Sequence, residues 1–198
     1  MSSTSAAGRR SPATFADLVA IPPDERFHEI IDGELVRKAM PSFEHGDAQS
    51  ALASRIKGPF QRRPGGALPG GWWIGTEVEV EFAPTQVYRP DIAGWRRERV
   101  PERPRGTPIR IRPDWICEVL SPSNPGTDRV TKLNHYHQFQ VPHYWIVDPM
   151  DESLSVFRWM AEGYLLVLAA RRDARVRPEP FDAIELPVGT LFGEDAEE

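Results

Sequence analysis

Apolar and polar positions change rhythm along this chain, and the changes mark its elements. The densest apolar run is Trp115-Ile116-Cys117-Glu118-Val119-Leu120. It predicts a strand covered on both faces, with one carboxylate, Glu118, set inside it. The turn formers Ser121 to Gly126 end that strand, and a helix is predicted from Thr127. Upstream, Thr14–Ala20 predicts a short helix that Pro22-Pro23 terminates. Phe27–Met40 predicts a hairpin about Asp32-Gly33, a favoured two-residue turn. Ala48, Ala51, Leu52 and Ile56 recur at helical spacing, which predicts a long helix over residues 41–63 with Ser42 as its cap.

Strict alternation from Trp72 to Phe82 predicts one half-exposed strand. Glu77, Glu79 and Glu81 fall on its polar side. Tyr88–Trp95 predicts the next strand, and the arginine- and proline-rich residues 96–112 a long loop. Tyr144–Val147 reads as a short strand. Leu154–Met160 and Tyr164–Ala170 read as a second hairpin around Glu162-Gly163, and residues 184–192 as a strand or a short helix. This order predicts an α/β or α+β fold, a mixed sheet flanked by helices. Residues 1–11 are expected to be a disordered tail and 194–198 a frayed acidic one. One domain is expected over 12–193.

The net charge is −5, which argues against a strongly basic nucleic-acid binder but permits local basic patches. Arg96, Arg97, Arg99, Arg103, Arg105, Arg110 and Arg112 form such a patch. They fit either a solvated loop or the flank of a polyanion. The one cysteine, Cys117, precludes an intrachain disulfide and a cysteine-based zinc cluster. No apolar run is long enough to span a membrane, and the small, polar start resembles no secretory signal, so a cytoplasmic location is expected.

A carboxylate inside a buried strand requires a cation or donors. Asp114 is too far from Glu118, roughly 13 Å along the same strand. Asp91, at the start of another strand, is the better partner: adjacent strands bring two backbones to about 5 Å. Two such carboxylates suit one hard divalent cation, Mg²⁺ rather than Zn²⁺. On the following helix Lys132 would supply a compact positive charge for a phosphodiester site. Tyr136, one turn on, would line the same face. The same spacing also permits Asp128 to pair with Lys132 at the surface, with Glu118 capped by a nearby donor. His135 and His137 are two apart on a helix and should not share a metal. Trp115 and Trp145 are expected in the core; Trp72 and Trp73 are the candidates for exposure.

Pro90-Asp91 followed by Glu118-Val119-Leu120 resembles the PD-(D/E)XK nuclease superfamily, with Leu120 where the usual lysine stands. Some branches carry that lysine on the next helix, where this chain has Lys132. A wider set is similar to the Uma-type family of restriction endonucleases, over roughly residues 14–192. It comprises Glu29–Leu35, Glu44-His45-Gly46, Arg89–Ile92, Glu118–Ser123, Asp128-Arg129 with Lys132, and Val141–Pro149. The resemblance implies a restriction-endonuclease-like core, Mg²⁺ (or Mn²⁺) dependence and DNA as substrate. It implies Asp91 and Glu118 as metal ligands, the Val119 backbone carbonyl as a third, and Lys132 as the catalytic cation. Glu44 on the first long helix would assist the metal or simply favour the helix N-terminus. His45 would approach the site or pack beside the hairpin. Glu77 would be an extra ligand or a member of a solvated face. The function expected is a metal-dependent DNA endonuclease, with a two-fold homodimer suited to cutting both strands. The alternative is a non-catalytic nucleic-acid- or protein-binding module on the same fold.

Overall fold

The computed structural model describes residues 11–121 and 127–195. The turn expected at 122–126 and the side chain of Asp128 lie outside the described residues.

Two sheets organise the chain. The small one is built from β1 (His28–Ile31), β2 (Glu34–Arg37), β4 (Val80–Ala83) and β5 (Gln86–Tyr88), in the order β2-β1-β5-β4. The large one holds β3 (Trp72–Thr76), β6 (Ile92–Arg96), β7 (Trp115–Val119), β8 (His143–Asp148), β9 (Ser153–Met160) and β10 (Gly163–Arg171). Its order is β10-β9-β8-β7-β6-β3. Only β7 and β8 run parallel; every other pair in this sheet is antiparallel. A two-stranded ribbon of β11 (Arg175–Val176) and β12 (Leu186–Pro187) leads into a 3₁₀ turn at Val188–Leu191, so residues 184–192 hold both elements expected there. The mixed sheet flanked by helices is the α+β architecture the sequence predicts.

The helices are α1 (Phe15–Ala20), α2 (Phe43–Phe60) and α3 (Leu133–Gln138), the last preceded by a π-helical segment at Thr127–Lys132. Ser42 caps α2 by accepting a hydrogen bond from the His45 amide. The apolar stripe of α2, Ala48, Leu52, Ile56 and Phe60, packs on one face of the large sheet with Trp115, Cys117 and Trp145. Tyr136 of α3 and Ile31, Val80 and Tyr88 of the small sheet pack with Ala93, Ile116 and Tyr144 on the other. The strand β7 is buried at every position, as its continuous apolar run requires.

Several expectations need correction. The alternating run 72–82 is not one strand, and neither is 88–95. The chain leaves the large sheet at Glu77, whose φ of 54° turns the backbone left-handed, and enters the small one at Val80. It returns through Pro90-Asp91 into β6. Proline lacks the N–H that a ladder needs, so the break falls there. The two crossings lie side by side, with the Glu77 amide donating to the Asp91 carbonyl at 3.2 Å. The glutamates of the first run are accordingly not a solvated face: Glu79 lies near Arg26, and Glu81 pairs with Arg110 at 3.0 Å. Trp72 and Trp73 are not exposed either. Trp72 is buried against Phe181, and the Trp73 indole donates to the Val100 carbonyl beneath the Arg97 guanidinium.

Candidate metal and active site

The pairing of β6 with β7 decides the geometry. Their register sets Ile92 opposite Cys117 and Ala93 opposite Ile116. One step further along, Asp91 falls opposite Glu118, and directly opposed residues project from the same face of a sheet. Both are buried. The Val119 amide donates to Asp91 Oδ2 at 2.6 Å, which ties the aspartate to the end of β7.

Lys132 ends the π-helical segment, and its side chain is only 2 % exposed. Its ammonium lies 3.2 Å from Glu118 Oε1 and 3.1 Å from Glu29 Oε2. Tyr136, one turn on, donates its hydroxyl to Glu118 Oε1 at 2.6 Å. Burial first, and the Glu118 charge next, push the Tyr136 phenol well above its ordinary pKa, so it remains a donor. Asp91, Glu118, Val119 and Lys132 line one narrow cavity of about 30 Å³, with Glu29, Lys38 and His45. That volume admits little more than a single ion or water.

The other candidates separate. Glu44 is exposed on the first turn of α2 and does not line the cavity; its own backbone amide first, and the Ser42 hydroxyl next, hold its carboxyl below the ordinary range. His45, its neighbour, is buried with Nε2 3.4 Å from Asp91 Oδ1. Glu77 reaches the cluster from the crossing of the sheets. It pairs with Lys38 at 3.2 Å and Arg89 at 3.0 Å. Asp114 has a cation of its own, Arg99 at 2.7 Å. His135 turns to Tyr88 and His137 stacks on Trp159, so the two histidines diverge.

Three participants break no hydropathy pattern in the sequence, although Glu29 opens the first of the family-like segments. Glu29 of β1 accepts the Arg89 amide at 2.8 Å and reaches Lys132. Gln49 of α2 donates to the Asp91 carbonyl at 2.9 Å. Lys38, just past β2, sits 2.7 Å from Asp91 Oδ1. Burial alone would raise the Asp91 pKa, but the Lys38 charge and the His45 hydrogen bond outweigh it and hold the carboxyl well below the usual range. Burial works against the Lys38 charge too, yet Asp91 carries the net effect upward.

The arginine-rich loop starts at the other end of the sheet. Arg96 is opposite Trp72, four residue steps from Ile92, or roughly 13 Å. There Arg63, Arg97, Arg103 and Arg105 line a broad groove of about 910 Å³ with Trp72 and Trp73.

The family model described as "Uma2: Putative restriction endonuclease" matches residues 13–189. A solved structure with the same fold is that of a putative nuclease belonging to DUF820 from Anabaena variabilis. It is 23% identical, with a TM-score of 0.72 over 91% of this chain and 98% of that one. No curated protein matches the chain significantly. Among the described residues no helix is long and apolar enough to cross a membrane.

Proposed function

This chain belongs to the Uma2 family, and from that premise we propose that it is an endonuclease hydrolysing DNA phosphodiester bonds with Mg²⁺ or Mn²⁺. The observation that carries this reading is the buried pair Asp91 and Glu118, set opposite one another on one sheet face beside Lys132. The donors fit the ion. They are hard carboxylate oxygens, and buried His45 sets a ring nitrogen, Nε2, 3.4 Å from Asp91 Oδ1. Cys117, the lone thiol, packs in the core on the opposite face.

Asp91, Glu118 and the Val119 carbonyl would hold the ion. When bound, it supplies a more acidic water and neutralises phosphate charge. Lys132 holds a fixed positive charge where negative charge grows on the phosphoryl oxygens. Glu29 and Glu118 clamp its ammonium, and Tyr136 fixes the Glu118 carboxylate from behind. The arginines of the distant groove would grip backbone phosphates, which positions a duplex without reading its sequence. A two-fold pair of chains would present one such site to each strand.

Plasmid cleavage tests the reading. The wild type should nick supercoiled DNA with Mg²⁺ or Mn²⁺ and stop on chelation. Asp91→Asn, Glu118→Gln and Lys132→Met should each lose about 100-fold or more in rate. Full activity in Asp91→Asn contradicts it. DNA binding by the wild type with no cleavage under any divalent ion would instead identify a non-catalytic binding module.

A further inference from the structure

Asp91 turns its two oxygens to different neighbours. Oδ2 takes the Val119 amide; Oδ1 takes Lys38. The Lys38 ammonium is ringed by oxygens: Asp91 Oδ1 at 2.7 Å, the Arg89 carbonyl at 2.8 Å, and both Glu77 oxygens at 3.2 and 3.3 Å. An ammonium has three protons to give. A divalent cation coordinates six or more donors and would use every one of these. His45 lies beside two of these groups: one of its nitrogens and one oxygen each of Glu77 and Asp91 lie within 4.8 Å of one another.

We propose that His45, Glu77 and Asp91 form a divalent-cation seat in which the Lys38 ammonium is the resident stand-in, displaced when the ion binds. This rests on the metal-dependent reading above and deepens it, because it adds a second seat, on the Oδ1 side of Asp91, to the one that Asp91, Glu118 and the Val119 carbonyl would form. Lys38 is built to leave. Its side chain is 18% exposed, whereas that of Lys132 is 2% exposed. It follows an edge strand of the small sheet, paired only with β1. Four flexible methylenes allow its charge to swing to water while the stem stays in place. Lys132, enclosed by Glu29 and Glu118, has no such route. The mixture of one imidazole with carboxylate and carbonyl oxygens favours Mn²⁺ over Mg²⁺.

The test uses the full chain with Mn²⁺ alone. Reductive methylation mapped by mass spectrometry reports whether the Lys38 amine is available, and calorimetry reports affinity. Lys38 should be protected without the ion and methylated at saturating Mn²⁺. His45→Ala and Glu77→Gln should weaken Mn²⁺ binding about tenfold or more. Lys38→Met should tighten it about tenfold, since a competing charge is gone. Lys38 still protected at saturation, or His45→Ala with unchanged affinity, overturns the seat and leaves the nuclease reading standing. No Mn²⁺ binding by the wild type or by Lys38→Met removes both.

Discussion

Tyr136 shows how one side chain serves the cluster without lining its cavity. Its hydroxyl reaches the Glu118 oxygen that also faces Lys132. Loss of a hydrogen bond to a charged, buried acceptor costs about 1.5–3 kcal/mol. Tyr136→Phe should therefore unfold in urea with stability reduced by that amount and an unchanged slope. A change below about 0.5 kcal/mol would show that the contact contributes nothing. At this scale the sequence exposes residues that break a pattern. Glu118 interrupts an apolar run, Asp91 follows a proline at a strand start, and Tyr136 stands one turn from Lys132. Glu29 and Lys38 break no pattern. Each reads as an ordinary polar residue of a hairpin, and only the closing of the small sheet over the large one buries Glu29 and brings Lys38 to Asp91. Glu44 illustrates the converse: its place near His45 in sequence gives no access to the cavity, because the two leave α2 in different directions.

Among the elements, the β1–β2 hairpin and α2 were legible because their signals are local. A favoured turn dipeptide and a serine cap work wherever the chain places them. Asp32 and Gly33 both take positive φ, 52° and 77°, as the turn demands. A Cβ at Gly33 would also lie 2.7 Å from Pro12 Cβ. Gly33→Ala should cost at least about 1–2 kcal/mol from the left-handed backbone alone. Chemical denaturation measures it, and a midpoint equal to the wild type's would contradict this account of the turn. The strand break at Glu77 was not legible, because alternation continues on both sides of it, whereas the break at Pro90 carries its own mark, a residue with no N–H for the ladder. A period of two tells which face a residue takes within a sheet, not which of two sheets the residue joins. Those breaks place Glu77 beside Asp91 and so set the shape of the candidate site.

For the molecule as a whole, the site lies at the seam between the sheets. The large sheet contributes Asp91 and Glu118, the small one Glu29, the residue after its edge strand Lys38, and α2 contributes His45. The basic groove sits at the opposite end of β3 and β6. A net charge of −5 therefore conceals a division, acids and lysines enclosed at one end and arginines lining a groove at the other. The overall fold was readable because six short segments recur in the order of a known family. The groove's separation from the acids was not, since the loop carrying it begins only five residues after Asp91. The direct test of the account is anomalous diffraction from crystals soaked in Mn²⁺. It predicts a peak about 2.0–2.3 Å from an Asp91 carboxylate oxygen, inside the cavity that Glu118 also lines, and its loss in Asp91→Asn. A well-ordered crystal with Mn²⁺ bound elsewhere and no density at Asp91 would contradict it.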